Sequence, residues 1–332
     1  MLVRLSISKS YIRVKKNVKF SIGIPAYKLR FLGQCIESVL NQTITDLELI
    51  IVNDASPEDI DGLIATYKDE RIRYYKNDVN RGGEHVVDNW NKCLSYSSGE
   101  FFVLMGDDDR MAPEYLEEFS RLIPSYPQLD IYHCRSLIID ENSKPVGLTT
   151  SCPEFESIYE NIWHRMNNYR THFISDFMFR LEVLKGNGGF YKTELAWAAD
   201  DISSYIAIGN KGIAHTNKPL LQYRESPISI TSSASAELKA LAILRTRNWL
   251  REFLKRENLA SPIDGILKGN IQMELNKFVR RSVVNTLAYN RRTDVSRLMY
   301  YYKIWKKRNL YELSYKEIFY AYLLSVKKDM VK

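Results

Sequence analysis

The stretch "FFVLMGDDDRMAP", residues 101–113, decides the reading of this chain. An apolar run from Phe101 to Met105 ends in Gly106 and three consecutive carboxylates, Asp107, Asp108 and Asp109. Acids this close repel one another and raise one another's pKa unless positive charge sits between them. The end of such a strand either fans its acids into solvent as a turn or holds a cation.

Working outward, the same alternation recurs on both sides. "VKFSIGIPAY" (18–27) is a short strand closed by Pro25, and "LRFLGQCIESVLNQ" (29–42) repeats its apolar pairs at helical spacing. "LELIIVNDAS" (47–56) reads as a buried strand, and "PEDIDGLIATYKDE" (57–70) as a helix with Pro57 and acids at its start. "IRYYKND" (72–78) alternates like a strand, and "GGEHVVDNWNKCLSYSSG" (82–99) is a glycine entry into a helix. Strands alternating with helices over short connections predict a parallel α/β sheet with helices on both faces. Ligands of such sheets bind at the carboxyl ends of the strands. Three strand ends carry distinctive groups there: Pro25-Ala26-Tyr27, Asn53-Asp54 and the acid triplet.

Beyond Pro113 a helix (114–122) and a strand (130–140) follow, then a less regular segment, 141–175, rich in aromatics and histidine. "ELAWAADDISSYIAIGNKG" (194–212) reads as a helix opening near a second acidic pair, Asp200-Asp201, and 213–231 as a strand followed by a loop holding Tyr223-Arg224. From about Ser232 only helical periodicity is visible.

Composition narrows the class. Of 332 residues 45% are hydrophobic, enough for a large core, and no repeat or low-complexity tract is present. Four scattered cysteines without a CxxC read as reduced core thiols of a cytosolic protein. The five histidines show neither HxH nor HExxH spacing, so no zinc site is expected. Gly-rich dinucleotide, P-loop and hydrolase-elbow motifs are missing from the sequence. No signal peptide and no membrane-spanning run is expected. The net charge of +7 is uneven: residues 235–332 carry 21 Lys and Arg against 9 Asp and Glu, net +12, leaving the remainder at −5.

The ordered series PAY (25–27), VNDAS (52–56), NRGG…NWN (80–91), GDDD…P (106–113), GGF (188–190) and ADD (199–201) resembles family 2 glycosyltransferases of the GT-A fold. The resemblance spans about residues 18–232. It implies a Rossmann-like mixed sheet flanked by helices, a basic segment at 1–17, and a helical, basic, aromatic-rich region at 233–332.

It also implies roles. A divalent cation, Mn2+ or Mg2+, would be held by oxygen ligands, Asp109 with Asp107, with Asp107 or Asp108 on the ribose hydroxyls. Asp54 would accept from the base, Tyr27 beside Pro25 and Ala26 would line its slot, and Asn80 and Asn89 would lie along ribose and diphosphate. Arg224 would meet a phosphate. Asp200, with Asp201 as the neighbouring alternative, would be the base of an inverting transfer. Each has a plainer reading: helix caps for the acids, core packing for Tyr27 and Asn89, a surface ion pair for Arg224.

The implied activity is transfer of a sugar from a nucleotide sugar, a UDP-sugar in this reading, to a saccharide or lipid-linked acceptor in cell-surface polysaccharide or glycolipid synthesis. A nucleotidyltransferase of related fold and a non-catalytic nucleotide-sugar-binding module are the alternatives. The basic aromatic tail would lie on an anionic membrane surface or pack as an ordinary appendage; nucleic acid is not expected, and the oligomeric state is open.

Overall fold

The computed structural model describes residues 18–225, 235–256, 259–288 and 294–330. The expected N-terminal segment 1–17 and the boundary at 232/233 lie outside the described residues. The elements run β1 (Phe20–Ala26), α1 (Leu32–Leu40), β2 (Leu47–Asn53), α2 (Ile60–Ala65), β3 (Ile72–Lys76), α3 (Val86–Tyr96), β4 (Phe101–Leu104), β5 (Arg110–Met111) and α4 (Tyr115–Leu122). Then come β6 (Ile131–Ile139), β7 (Pro145–Leu148), β8 (Phe155–Glu156), α5 (Ile158–Met166), β9 (Phe177–Arg180), α6 (Leu181–Gly186), α7 (Ala199–Ile208) and β10 (Ile213–Arg224). Four further helices follow: α8 (Ala236–Phe253), α9 (Pro262–Ala288), α10 (Asp294–Lys306) and α11 (Tyr315–Met330).

The strands form one sheet in the order β3-β2-β1-β4-β9-β6-β10-β5, with β7 added on β6 and β8 on β10. β3, β2, β1 and β4 are parallel, as the strand–helix alternation predicts. The second half departs from the all-parallel expectation. β9 runs antiparallel between β4 and β6, and β10 is parallel to β6 but antiparallel to β5 and β8. Four of the strands in these antiparallel pairings, β5, β7, β8 and β9, are two to four residues long, too brief to leave a period in the sequence.

Continuous apolar runs follow from burial on both faces of the sheet. Leu49, Ile51, Phe101 and Val103 pack with Leu32, Ile36 and Val39 of α1 on one face. Their alternates Ile50, Val52, Phe102 and Leu104 pack with Val87, Trp90 and Leu94 of α3 on the other. That second cluster runs on without a break into Phe253, Ile271, Leu275, Val283, Tyr300 and Tyr301 of the C-terminal helices. Trp249 of α8 stacks on Tyr205 of α7, with ring centroids 6.2 Å apart, and Ser157, the cap of α5, donates to Asp264 at 2.6 Å. The C-terminal helices therefore share the core of the α/β layer.

Candidate active site

The acid triplet sits where β4 ends, beside the end of β1, and its three carboxylates do different work. Asp107 is buried and accepts from the backbone N–H groups of Tyr27 (2.9 Å) and Lys28 (2.8 Å), which ties the two strand ends together. Asp109 is buried and turned inward. It accepts from the Arg224 backbone N–H at 3.0 Å and the Ser175 hydroxyl at 3.1 Å. Burial and the Asp108 charge push its carboxyl up to about 7. Asp108 alone keeps an open side, and it pairs with the Lys28 ammonium, which also lies 3.2 Å from Asp107. Burial would lower the Lys28 pKa, but the two acids hold it above its usual value.

The sequence pointed to Asp109 with Asp107. Each Asp109 oxygen accepts one protein hydrogen bond, while Asp108 and the outer oxygen of Asp107 face a common positive charge, the Lys28 ammonium. Carboxylate oxygens suit a hard divalent cation, so the residues of the acid turn fit Mn2+ or Mg2+.

The nucleotide-side residues gather at the end of β2. Asp54 is buried and accepts from Asn77 Nδ2 at 2.7 Å and from the Arg81 N–H at 3.1 Å. Asn80 donates to the Asp54 carbonyl at 2.8 Å, holding the loop rather than pointing outward. Asn89 is turned into the core, donating to the Val52 carbonyl at 3.2 Å and accepting from Asn77. The Tyr27 ring is 45% exposed, in contrast to its neighbour Ala26, and so is free to present a face. Next to Asp54 and Asn77 opens a polar cavity of about 260 Å³ lined by Asn77, Arg81, Asp88, Asn89, Lys92 and Lys192.

Arg224 corrects another expectation. Tyr223-Arg224 ends strand β10 rather than forming a loop, with Tyr223 stacked on Phe173 at 3.6 Å. The Arg224 side chain is fully buried and spends its donors on the carbonyls of Asp108 (2.9 Å) and Asp140 (3.0 Å), on Ser143 Oγ (3.0 Å) and on Gln34 Oε1 (3.0 Å). It braces the acid turn from behind.

The second acidic pair opens α7 after an unusual backbone. Leu195, Ala196 and Ala198 all take positive φ, 59°, 52° and 60°, a left-handed run that costs non-glycine residues about 1–2 kcal/mol each. Arg165 of α5 grips Asp201 through two bonds, Nε to Oδ1 at 2.7 Å and Nη2 to Oδ2 at 3.2 Å. The half-buried Asp200 has no such partner among the described residues; its Oδ1 accepts only the Asp201 N–H at 2.9 Å. Burial and the Asp201 charge push the Asp200 carboxyl up to about 7, against the opposing pull of Arg165. The pair is thus split into a carboxylate gripped by Arg165 and one without such a partner among the described residues.

The GGF turn is locked by the helix that carries NWN. Asn91 accepts from the Phe190 N–H at 2.7 Å and donates to its carbonyl at 3.1 Å. Gly188 and Gly189 both have φ near 87°, and a Cβ on Gly189 would collide with Asn91 Oδ1.

Sequence reading missed Arg165, Ser175 and the role of Lys28. Arg165 lies in the segment taken as irregular, yet "SIYE" (157–160) is a capping box, observed at the start of α5, and could have revealed the helix. The histidines, scattered in sequence, do not stay scattered: His133, His172 and His215 converge with Cys152.

Residues 21–184 match the sequence model of glycosyl transferase family 2. A GalNAc(5)-diNAcBac-PP-undecaprenol beta-1,3-glucosyltransferase of Campylobacter jejuni is 32% identical over 96 residues, covering 28% of this chain and 30% of that protein. The chain spans between 15% and 38% of the length of the first three curated relatives it matches. Among solved structures, Staphylococcus aureus TarS 1-349 in complex with UDP-GlcNAc superposes with a TM-score of 0.58 at 16% identity, covering 95% of this chain and 92% of that one. The mannosyltransferase PcManGT from Pyrobaculum calidifontis, in complex with GDP-Man and Mn2+, gives 0.54 at 14% identity over 95% and 88%. At these identities the structures speak for the fold, which is the GT-A arrangement of a mixed sheet flanked by helices followed by C-terminal helices. Residues 21–184 are a glycosyl transferase family 2 domain.

Proposed function

We propose that this protein is an inverting glycosyltransferase that moves a sugar from a nucleotide sugar to a hydroxyl of a saccharide or lipid-linked acceptor in surface-polysaccharide synthesis. The observation that carries the reading is the division of labour in Asp200-Asp201. A general base works best with a pKa near the working pH, and Asp200 stands at about 7 beside an Asp201 that Arg165 immobilises. In the proposed reaction the Asp200 carboxylate takes the acceptor hydroxyl proton as that oxygen attacks the anomeric carbon opposite the leaving diphosphate.

Asp54 and Tyr27 seat the base, Asp54 from a position already fixed by Asn77 and Arg81. Asp108 and Asp107 would hold Mn2+ or Mg2+, which as a Lewis acid offsets the charge growing on the diphosphate. Lys28 supplies a second positive charge at the same edge. A UDP-sugar donor is favoured by the likeness to a structure holding UDP-GlcNAc, and a lipid-linked acceptor by the likeness to an undecaprenol-linked glucosyltransferase. Among the described residues no helix is long and apolar enough to cross a membrane. Exposed Leu298, Met299, Tyr302 and Trp305 on α10, and Phe319, Tyr320 and Leu323 on α11, join the basic excess of the tail as a surface for an anionic bilayer. Flotation with anionic vesicles checks that part, and recovery of the whole chain in the soluble fraction would refute it.

Asp200→Asn tests the core of the proposal. Turnover should fall about 10²–10⁴-fold, the usual worth of a positioned base, while calorimetric binding of the nucleotide sugar persists. Full turnover in the variant would remove Asp200 from the chemistry.

A further inference from the structure

A second cluster of metal-ligating side chains lies inside the fold, and the donor chemistry does not use it. His133 of β6 and His215 of β10 are register partners on adjacent strands, both buried, with their Nδ1 atoms 3.0 Å apart. The buried Cys152 joins them: its Sγ and the two imidazoles offer donor atoms all within 4.8 Å of one another. Cys152 is held in place by Asn217, which accepts from its N–H at 3.0 Å and donates to its carbonyl at 2.9 Å.

The outer ring nitrogens lie near carboxylates. His133 Nε2 faces Asp176 Oδ1 at 3.5 Å, and His215 Nε2 faces Glu156 Oε2 at 3.4 Å. With each ring proton on Nε2, toward its carboxylate, Nδ1 would be the ligating atom, the arrangement that orients and strengthens a histidine ligand. The two Nδ1 atoms lie beside the Cys152 sulfur, a grouping that a shared proton or a metal cation would stabilise. Glu156 is in turn fixed by Arg170 (Nη2 at 2.5 Å) and by Asn161 (3.0 Å). His172, buried with neither ring nitrogen hydrogen-bonded, stands against His133 with ring centroids 4.8 Å apart.

We propose that Cys152, His133 and His215 bind a structural Zn2+ that fastens the 149–176 segment to strands β6 and β10. Thiolate and imidazole together select zinc over the hard cations suited to the acid turn. Binding releases the Cys152 thiol proton and the proton otherwise shared between the two Nδ1 atoms, as ligation at such sites requires. The clamp matters for the reaction site because the fastened segment carries Arg165 to Asp201.

The test is elemental analysis of the full chain purified without chelator, followed by exchange with Co2+. Stoichiometric zinc and a thiolate-to-cobalt charge-transfer band in the near ultraviolet are expected, the band lost in Cys152→Ser and the metal lost in His215→Ala. Co2+ at the oxygen-only acid turn gives no such band, so the outcome is independent of whether the transferase reading holds. Wild-type chain from zinc-supplemented medium that carries no zinc and develops no thiolate band with Co2+ would overturn the proposal, leaving a proton as the cation between the rings. Both decisive readings use the wild-type chain, so a variant that fails to fold does not obscure the result.

Discussion

Arg165 and Asp201 form a two-pronged ion pair between α5 and the first turn of α7, at 2.7 and 3.2 Å. Burial and the neighbouring Asp201 charge hold up the pKa of Asp200. Arg165 itself pulls the other way on Asp200.

Removing the guanidinium therefore has a predictable sign. Arg165→Gln deletes the influence that lowers the Asp200 pKa, so the acidic limb of the kcat/KM profile, set near pH 7 in the wild type, should move to higher pH. The pH–rate profiles of the two proteins check this, and a limb that stays put or moves down would detach Asp200 from the profile.

Lys28 is the built-in counter-charge of the acid turn. Lys28→Met leaves Asp107 and Asp108 without it, and without divalent cation the variant should lose about 1–3 kcal/mol of stability, the low side of what a broken buried pair costs because the lysine is partly exposed. Mn2+ should raise its melting temperature more than that of the wild type, since no ammonium competes for Asp108. Thermal melts with and without Mn2+ measure both effects.

Arg224 separates a brace from a ligand. A phosphate ligand would, when replaced, weaken donor binding at unchanged stability. With its donors given to Asp108, Asp140, Ser143 and Gln34, Arg224→Met should instead cost about 3 kcal/mol or more of folding stability. Urea unfolding next to calorimetric nucleotide binding distinguishes the two.

Gly189→Ala should destabilise the chain by about 1–3 kcal/mol, through the positive φ and the collision with Asn91. Asn91→Ala alone loses the two bonds to Phe190 but relieves the collision, so the double variant should be more stable than the sum of the single losses. Denaturation of the three variants in one cycle gives the coupling.

The first half of the sheet was legible because each strand is a long apolar run separated from the next by a helix with its own period; β1, β2, β3 and β4 fall where the pattern puts them. β9 was not, because four residues buried on both faces carry no alternation. At the site, the positions of Asp54, the acid triplet and Asp200 could be read from their place at strand and helix ends. Their orientations could not. Nothing local says that Asp109 turns inward to Ser175, that Arg224 turns under the sheet edge, or that Arg165, 36 positions away, chooses Asp201. Such choices are made by long-range packing. The same holds for His133 and His215, 82 positions apart in sequence and register partners in the sheet.

Trp249 rests its ring against Tyr205, one turn along the helix that Asp200 opens. In the proposed reaction the base thus sits on a helix packed against α8, within a core that also takes in residues of the last two helices. A partner engaging the exposed aromatic side of those helices would therefore reach the proposed base through that shared core.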